Sequence, residues 1–179
     1  METNWTTAGP MPGDPDWSGG TVFRDEREVA VAAPSWALFR AVCRIGGQRG
    51  WYADWLWKIR GGLDRLAGGP GLRRGRRESD TLRYGDALDF WRVVGVDQDR
   101  SLSLRAEMRL PGEALLDFRI GANGEQDCTL RQTALFQPRG LFGLMYWYAV
   151  LPLHGIIFRG MLSGIQRDAV QIAMRERAG

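Results

Sequence analysis

The sequence predicts an α+β domain in which a long C-terminal helix packs against an antiparallel sheet. Between residues 87 and 137, apolar and polar side chains alternate with a period of two, which is the pattern of strands that bury one face. Residues 141–158, which include no Asp, Glu, Lys or Arg, follow directly and would cover that apolar face. A chain of 179 residues is long enough to bury the core of one such domain.

Composition excludes several classes of protein. Hydrophobic residues at 44% and charged residues at 25% are globular values, and a net charge of +3 with interspersed acids does not fit a dedicated nucleic-acid binder. The two cysteines, Cys43 and Cys128, are too few for a disulfide framework, and with a single histidine they predict no metal site. The opening residues lack the pattern of a secretory signal, so a cytoplasmic location is expected.

The first elements precede the alternating region. Residues 1–20 combine several prolines with Gly, Thr and Asp and show no apolar period, which predicts a loose tail ahead of a single folded domain over 21–179. Residues 21–31 are predicted as a strand, and the charges at its centre favour a sheet edge. Two helices are expected next, over 34–46 and about 54–66.

Antiparallel strands then account for residues 87–137. In 101–110 every even position is apolar and every odd position is polar, and this phase largely continues in 114–120 and 128–137. Pro111-Gly112 and Asn123-Gly124 are typical turn sequences between such strands. After Pro138-Arg139-Gly140 the remaining chain has the apolar spacing of one long helix.

The order of elements from about residue 21 onward resembles the helix-grip fold of the START-like/SRPBCC superfamily. Several motifs are similar, more specifically, to those of a bacterial family without an assigned function. Some relatives in that family carry this domain behind an atypical short-chain-dehydrogenase-like NAD(P)-binding domain. The motifs are Gly50-Trp51-Tyr52, Leu56-Trp57-Lys58-Ile59-Arg60-Gly61, the stretch 68–77, Gly85-Asp86-Ala87-Leu88-Asp89-Phe90-Trp91-Arg92-Val93, Glu107-Met108-Arg109-Leu110-Pro111-Gly112 and Tyr146-Trp147-Tyr148.

This resemblance implies a curved antiparallel sheet wrapped around the C-terminal helix, with a hydrophobic small molecule held between them. It also implies, as an alternative, an enzyme of polyketide cyclase or aromatase type that uses the same cavity. A reductase-like protein is a further partner that the resemblance suggests. The chain itself has no Gly-x-Gly-x-x-Gly opening, so we expect no bound cofactor.

The inferred inward face predicts which residues would contact the ligand. Two polar side chains, Gln132 and Arg92, interrupt the apolar series, and burying either without a partner is costly. Either these side chains orient a ligand, or their polar atoms form hydrogen bonds within the protein. For Arg92 a further alternative is that its strand is assigned to the wrong face. The predicted walls are Trp91, Met108, Phe118, Phe136, Tyr146 and Phe158.

His154 is the candidate catalytic residue. It lies in the helix predicted to cover the cavity, where an imidazole would act as a general acid or base towards a bound molecule. The chain has no Gly-x-Ser-x-Gly motif that would place it in a serine hydrolase. The alternative is a histidine that packs between helix and sheet and bonds a backbone carbonyl.

Two further segments allow more than one interpretation. The arginines of 73–77 would either bind a phosphate or carboxylate or form solvated surface paired with nearby acids. The uncharged run 141–158 is long enough to insert into a membrane, but Pro152 and His154 are unfavourable in a lone span. We therefore expect the run to pack on protein.

Overall fold

The structure is a computed structural model that describes residues 22–46, 81–107 and 110–178. The predicted tail 1–20, the predicted helix 54–66, the arginines of 73–77 and Met108 lie outside the described residues. The described part is α+β, as the sequence predicts. Its elements are β1 (Phe23–Val31), α1 (Ser35–Cys43), β2 (Ala87–Leu88), β3 (Trp91–Asp97), β4 (Ser101–Ala106), β5 (Gly112–Ala122), β6 (Cys128–Pro138) and α2 (Gly140–Ala178).

The strands form one curved antiparallel sheet in the order β1-β6-β5-β4-β3-β2. The strands β3 to β6 follow one another as a meander. Strand β1, the first strand described, pairs with β6 along its whole length. The predicted edge position of β1 is confirmed among the described strands. Its even positions Arg24, Glu26 and Glu28 carry the exposed charges that favour such a position.

One face of the sheet is apolar because the predicted alternation holds in β4, β5 and β6. Leu104, Leu116 and Phe118 are almost completely buried, whereas Arg105 and Arg119, on the opposite parity, are exposed. The register pairs inward residues across the sheet, with Phe118 opposite Gln132. This buried face is the surface on which the two helices pack.

The strand predicted from residue 87 onward is in fact a short hairpin. Asp89 has a positive φ of 56°, and a turn at Asp89 and Phe90 separates β2 from β3. The turn shifts the phase of the alternation by one residue, because Trp91 and Val93 now face the interior. Arg92 therefore lies on the outer face, and its predicted inward orientation is wrong.

Helix α2 is a single helix of 39 residues that covers the sheet. Its buried stripe recurs at helical spacing and includes Phe158, Met161, Ile165 and Ala169. Helix α1 packs against α2. Arg40 of α1 forms an ion pair with Glu176 near the C-terminus of α2, so the second half of α2 contacts α1 as well as the sheet.

Candidate functional site

A cavity lies between the sheet and the first half of α2. It is a partly open cleft, and about 590 Å³ is the volume of its empty space together with the adjoining open solvent. Its lining is almost entirely apolar, which is typical of sites for small hydrophobic molecules. The sheet contributes Trp91, Ala106, Ala114, Leu115, Leu116, Ala134, Leu135 and Phe136, the β4–β5 connection contributes Leu110, and α2 contributes Tyr146, Trp147, His154 and Phe158.

Aromatic rings in contact with one another form a wall of this cavity. Trp147 stacks on Phe136 with 5.7 Å between ring centroids and on Phe23 with 5.0 Å, and the interplanar angles are 9° and 13°. Tyr146 contacts Phe136 at 5.5 Å. Offset stacking of this kind stabilises the arrangement beyond simple burial and leaves rigid, flat surfaces for a ligand.

The sequence analysis did not include Trp147 among the wall residues. Trp147, His154 and Phe158 are spaced by seven and four residues and therefore lie on one face of α2. The apolar composition all around this part of the helix concealed that face, since nearly every position qualifies as buried. The seven-residue spacing between Trp147 and His154 was the feature of the sequence that could have predicted Trp147 on the same face.

His154 lies among the aromatic rings that line the cavity. Its ring centroid is 5.2 Å from that of Trp147, in an edge-to-face arrangement at 83°, and 4.9 Å from that of Phe158. The imidazole is half-buried. A proton donor or acceptor in so apolar a wall is placed to contact a polar atom of a bound molecule.

Gln132 is the buried polar residue of the inner face. Its side chain is 1% exposed, and neither its Oε1 nor its Nε2 atom has a hydrogen-bond partner in the part of the chain that the structure describes. It faces Phe118 on β5 and lies two residues before Ala134, which lines the cavity. The inward orientation predicted for Gln132 is therefore observed, although its amide lies just beyond the lining itself.

A pair of charges on β1 lies beside Gln132, and the sequence analysis did not single it out. The Arg27 guanidinium donates to both carboxylate oxygens of Asp25 at 3.1 Å and to the carbonyl of Gly155 on α2 at 3.5 Å. The two side chains are 25% and 14% exposed. The odd positions of β1 face the helix. In the sequence, a period of two counted from Phe23 could therefore have predicted that Asp25 and Arg27 point inward.

Within the described part of the chain, three predicted ligand residues are not part of the cavity lining: Arg92, Phe118 and, as noted above, Gln132. Arg92 donates to both carboxylate oxygens of Glu107, at 2.7 and 3.0 Å, and to the Gly85 carbonyl at 2.8 Å on the outer face. The hydrogen bonds to Glu107 raise the pKa of this guanidinium further. Phe118 is fully buried in the core next to the cavity, and Met108 lies outside the described residues.

The cysteines do not add a reactive group. Both are buried and neither forms a disulfide among the described residues, and burial raises the pKa of the Cys128 thiol to about 11. A thiol with that pKa is protonated at neutral pH and is a poor nucleophile. Within residues 22–46, 81–107 and 110–178, no group of three or more His, Cys, Asp and Glu side chains is arranged to hold a metal ion.

Comparisons with known proteins identify the fold. The profile of the family described as "Protein of unknown function (DUF2867)" matches residues 17–161. The crystal structure of the Zhui aromatase/cyclase from Streptomyces sp. R1128 superposes with a TM-score of 0.52 at 14% identity, and the match covers 84% of this chain and 95% of that one. Truncated norcoclaurine synthase from Thalictrum flavum gives a TM-score of 0.50 at 14% identity, with 86% and 96% covered. No curated protein matches the sequence.

At these identities the likeness establishes the fold alone. Both structures have the helix-grip architecture, in which a curved antiparallel sheet wraps around a long C-terminal helix. The fold class predicted from the sequence is therefore confirmed.

Proposed function

The chain belongs to the family described as "Protein of unknown function (DUF2867)", and for this member we propose binding of a hydrophobic small molecule in the cavity between the sheet and the first half of α2. The observation that carries the proposal is the cavity lining, in which stacked rings and aliphatic side chains surround a space with few polar atoms. Transfer of an apolar molecule from water to such walls is favourable by about 25 cal/mol for each Å² buried.

The polar groups near the cavity support an oriented ligand. His154 contributes an imidazole to the lining. The amide of Gln132, which has no hydrogen-bond partner among the described residues, lies next to the cavity wall. An amide offers both a donor and an acceptor, so it complements a hydroxyl, carboxylic acid or enol group that has both. Two proteins of this fold are named as a cyclase and a synthase, which supports a small-molecule site in this chain as well.

A substitution that fills the cavity tests this proposal. Ala134→Phe adds a ring to the cavity wall, whereas Ala122→Phe adds the same ring at an exposed position of β5. With the probe 8-anilinonaphthalene-1-sulfonate, we expect quenching of tryptophan fluorescence in the wild type and in Ala122→Phe, and at least tenfold weaker binding in Ala134→Phe. Circular dichroism checks that both variants fold.

Equal affinity in the two variants would contradict a site at this cavity. Native mass spectrometry of the purified protein provides a second measurement, because a carried ligand should appear as a mass increment that Ala134→Phe lacks.

An enzyme of cyclase or aromatase type is the second candidate, and the position of His154 in the cavity lining favours it. In that mechanism the walls hold a reactive chain in a folded conformation, and the imidazole moves a proton at a carbon or oxygen of the substrate. With a poly-β-ketone substrate, His154→Ala should lower turnover at least tenfold. Unchanged turnover in a folded His154→Ala protein would exclude His154 from the mechanism.

The remaining sequence-based expectations stay predictions. A reductase-like partner would be detected by co-purification, and the dependence of that interaction on salt would test a role for the arginines of 73–77. The cytoplasmic location likewise stays a prediction.

A further inference from the structure

The outward side of the first half of α2 carries large apolar side chains in contact with solvent. In the described chain nothing covers them, although a surface helix normally presents polar residues there. The helix Gly140–Arg177 contains an 18-residue window that is apolar enough to cross a membrane, with a mean hydropathy of 1.6, and only 22% of that window is buried. The exposed side chains are Leu141 at 59%, Phe142 at 80%, Met145 at 60%, Tyr148 at 64% and Ile156 at 66%.

Cations continue this face towards the C-terminus. Arg159 and Arg167 are exposed, and their guanidinium groups donate only to the carbonyls of Gly155 and Ser163 in the preceding turn. Neither has an acidic partner among the described residues. At the other end of the apolar stretch, the side chain of Arg139 is 72% exposed and forms an ion pair with Glu113 at 2.9 Å. The apolar stretch, here called the α2 outer face (residues 141–156), is thus followed by two arginines without an acidic partner among the described residues, and it is preceded by Arg139, whose charge is paired with Glu113.

We propose that the α2 outer face docks onto the surface of an anionic lipid bilayer. The helix satisfies its backbone hydrogen bonds internally, so its apolar side chains can enter the acyl region without leaving polar backbone groups unpaired. Guanidinium groups next to an apolar helix face complement the phosphates of anionic lipids. The α2 outer face therefore matches the bilayer in two ways: its apolar side chains suit the acyl region, and the neighbouring guanidinium groups suit the anionic headgroups.

Other occupants of this face fit less well. A protein interface usually includes a hydrogen bond for every 100–200 Å² or so, whereas the large exposed side chains of the outer face are apolar apart from the Tyr148 hydroxyl. A second copy packed antiparallel about a two-fold axis near Ala149 would place Arg139 of one helix beside Arg159 of the other. Like charges in contact oppose that arrangement.

Docking through this face would place the cavity close to the lipid. Trp147 and His154 line the cavity from the inward side of the same helical segment, and a helix with its side chains is about 10–12 Å in diameter. An apolar molecule dissolved in the bilayer would thus lie one helix away from the cavity. The docking itself does not depend on what the cavity binds.

Sedimentation with vesicles tests the proposal on the full chain. We expect binding to vesicles of phosphatidylcholine with phosphatidylglycerol, weaker binding to phosphatidylcholine alone, and loss of most binding at 0.5 M salt, roughly as screening of surface charge requires. The double variant Phe142→Glu with Ile156→Glu should bind at least tenfold more weakly. Tyr84→Glu with Ala122→Glu is the matched control, since it adds the same two charges at exposed residues outside α2 and should bind like the wild type.

Arg159→Gln with Arg167→Gln should lower binding to the anionic vesicles at least threefold and leave binding to phosphatidylcholine unchanged. Failure of the wild type to sediment with anionic vesicles would overturn the proposal, as would equal binding by the double glutamate variant. A dimer in light scattering that the double variant abolishes would assign the face to a second copy and would also overturn it. Binding of the fluorescent probe by the same variants reports on the cavity separately.

Discussion

The buried amide of Gln132 lowers the stability of the empty protein. Its two polar atoms have lost water and gained no partner among the described residues, which costs about 1–3 kcal/mol. We predict that Gln132→Met, which keeps the length of the side chain, raises the unfolding free energy by about 1 kcal/mol and the melting temperature by roughly 2–4 °C. Thermal unfolding followed by circular dichroism measures this, and a lower melting temperature would indicate that the amide has a partner after all.

The Cys128 thiol should be inert in the folded protein. Burial raises its pKa from 9.0 to about 11, and Sγ lies 3.0 Å from the Ala33 carbonyl, to which the thiol donates. Above pH 9 the unfolded chain loses this proton while the folded chain retains it, so folding stability falls between about pH 9 and pH 11. Cys128→Ala should show a smaller decrease over the same range in urea titrations. At pH 8, iodoacetamide should modify Cys128 only after denaturant is added, and rapid labelling of the native protein would contradict this prediction.

The orientation of single residues was predictable only where the strand pattern is uninterrupted. Gln132 was assigned correctly because β6 alternates over its whole length. Arg92 was assigned to the wrong face because the positive φ of Asp89 starts a turn that no Gly or Asn marks in the sequence. Asp25 and Arg27 were overlooked because charged residues on an edge strand normally face solvent, and only the position of α2 shows that these two do not.

The start of α2 depends on a close approach that only glycine allows. A Cβ atom at Gly143 would lie 2.7 Å from Pro138 Cβ and 2.8 Å from Pro138 Cα, and it would also collide with the carbonyl oxygen of Pro111. We predict that Gly143→Ala destabilises the protein by about 1–3 kcal/mol, although alanine is the better helix former. Gly155→Ala is the control on the same helix, because the atom nearest to its added Cβ is in the flexible side chain of Arg159, 3.5 Å away.

Chemical denaturation of the two variants checks this prediction. Gly155→Ala should be neutral or slightly stabilising, and an equal effect of both substitutions would mean that helix propensity rather than packing determines the result.

Helices and strands differed in how well the sequence predicted them. Strands β4 to β6 and helix α2 were predicted because each has a long, regular apolar pattern. The β2–β3 hairpin was missed because β2 has only two residues, too few to show any period. In the first half of α2 the pattern identified a helix but could not distinguish its cavity side from its outer face, since both are apolar.

Binding of a ligand in the cavity should raise the free energy of unfolding of the folded chain as a whole. A ligand that binds only the folded state raises the unfolding free energy by about 2.7 kcal/mol at a concentration of 100 times its Kd. For a chain of this size that corresponds to a rise in melting temperature of roughly 5–10 °C. Scanning fluorimetry with a series of apolar compounds measures the rise, and Ala134→Phe should abolish it. A shift that persists in Ala134→Phe would place the ligand elsewhere.

The architecture was predictable from the order of elements, and its resemblance to the helix-grip fold implied a cavity, but the size of that cavity was not predictable. A period of two shows which side chains face inward, yet it does not show how far α2 stands from the sheet. That separation depends on which small residues lie opposite the large ones, here Ala106, Ala114 and Ala134 facing the rings of α2. Such pairings join distant parts of the chain and follow only from three-dimensional packing.

The pairing of β1 with β6 determines the order in which the chain can fold. Strands β3 to β6 each pair with the strand made just before or after them, so this meander can assemble while synthesis continues. Among the described strands β1 is synthesised first, the strand with which it pairs, β6, is synthesised last, and α2 follows β6. The pairing of β1 with β6 therefore cannot form until β6 has been synthesised, and until then β1 is accessible to chaperones.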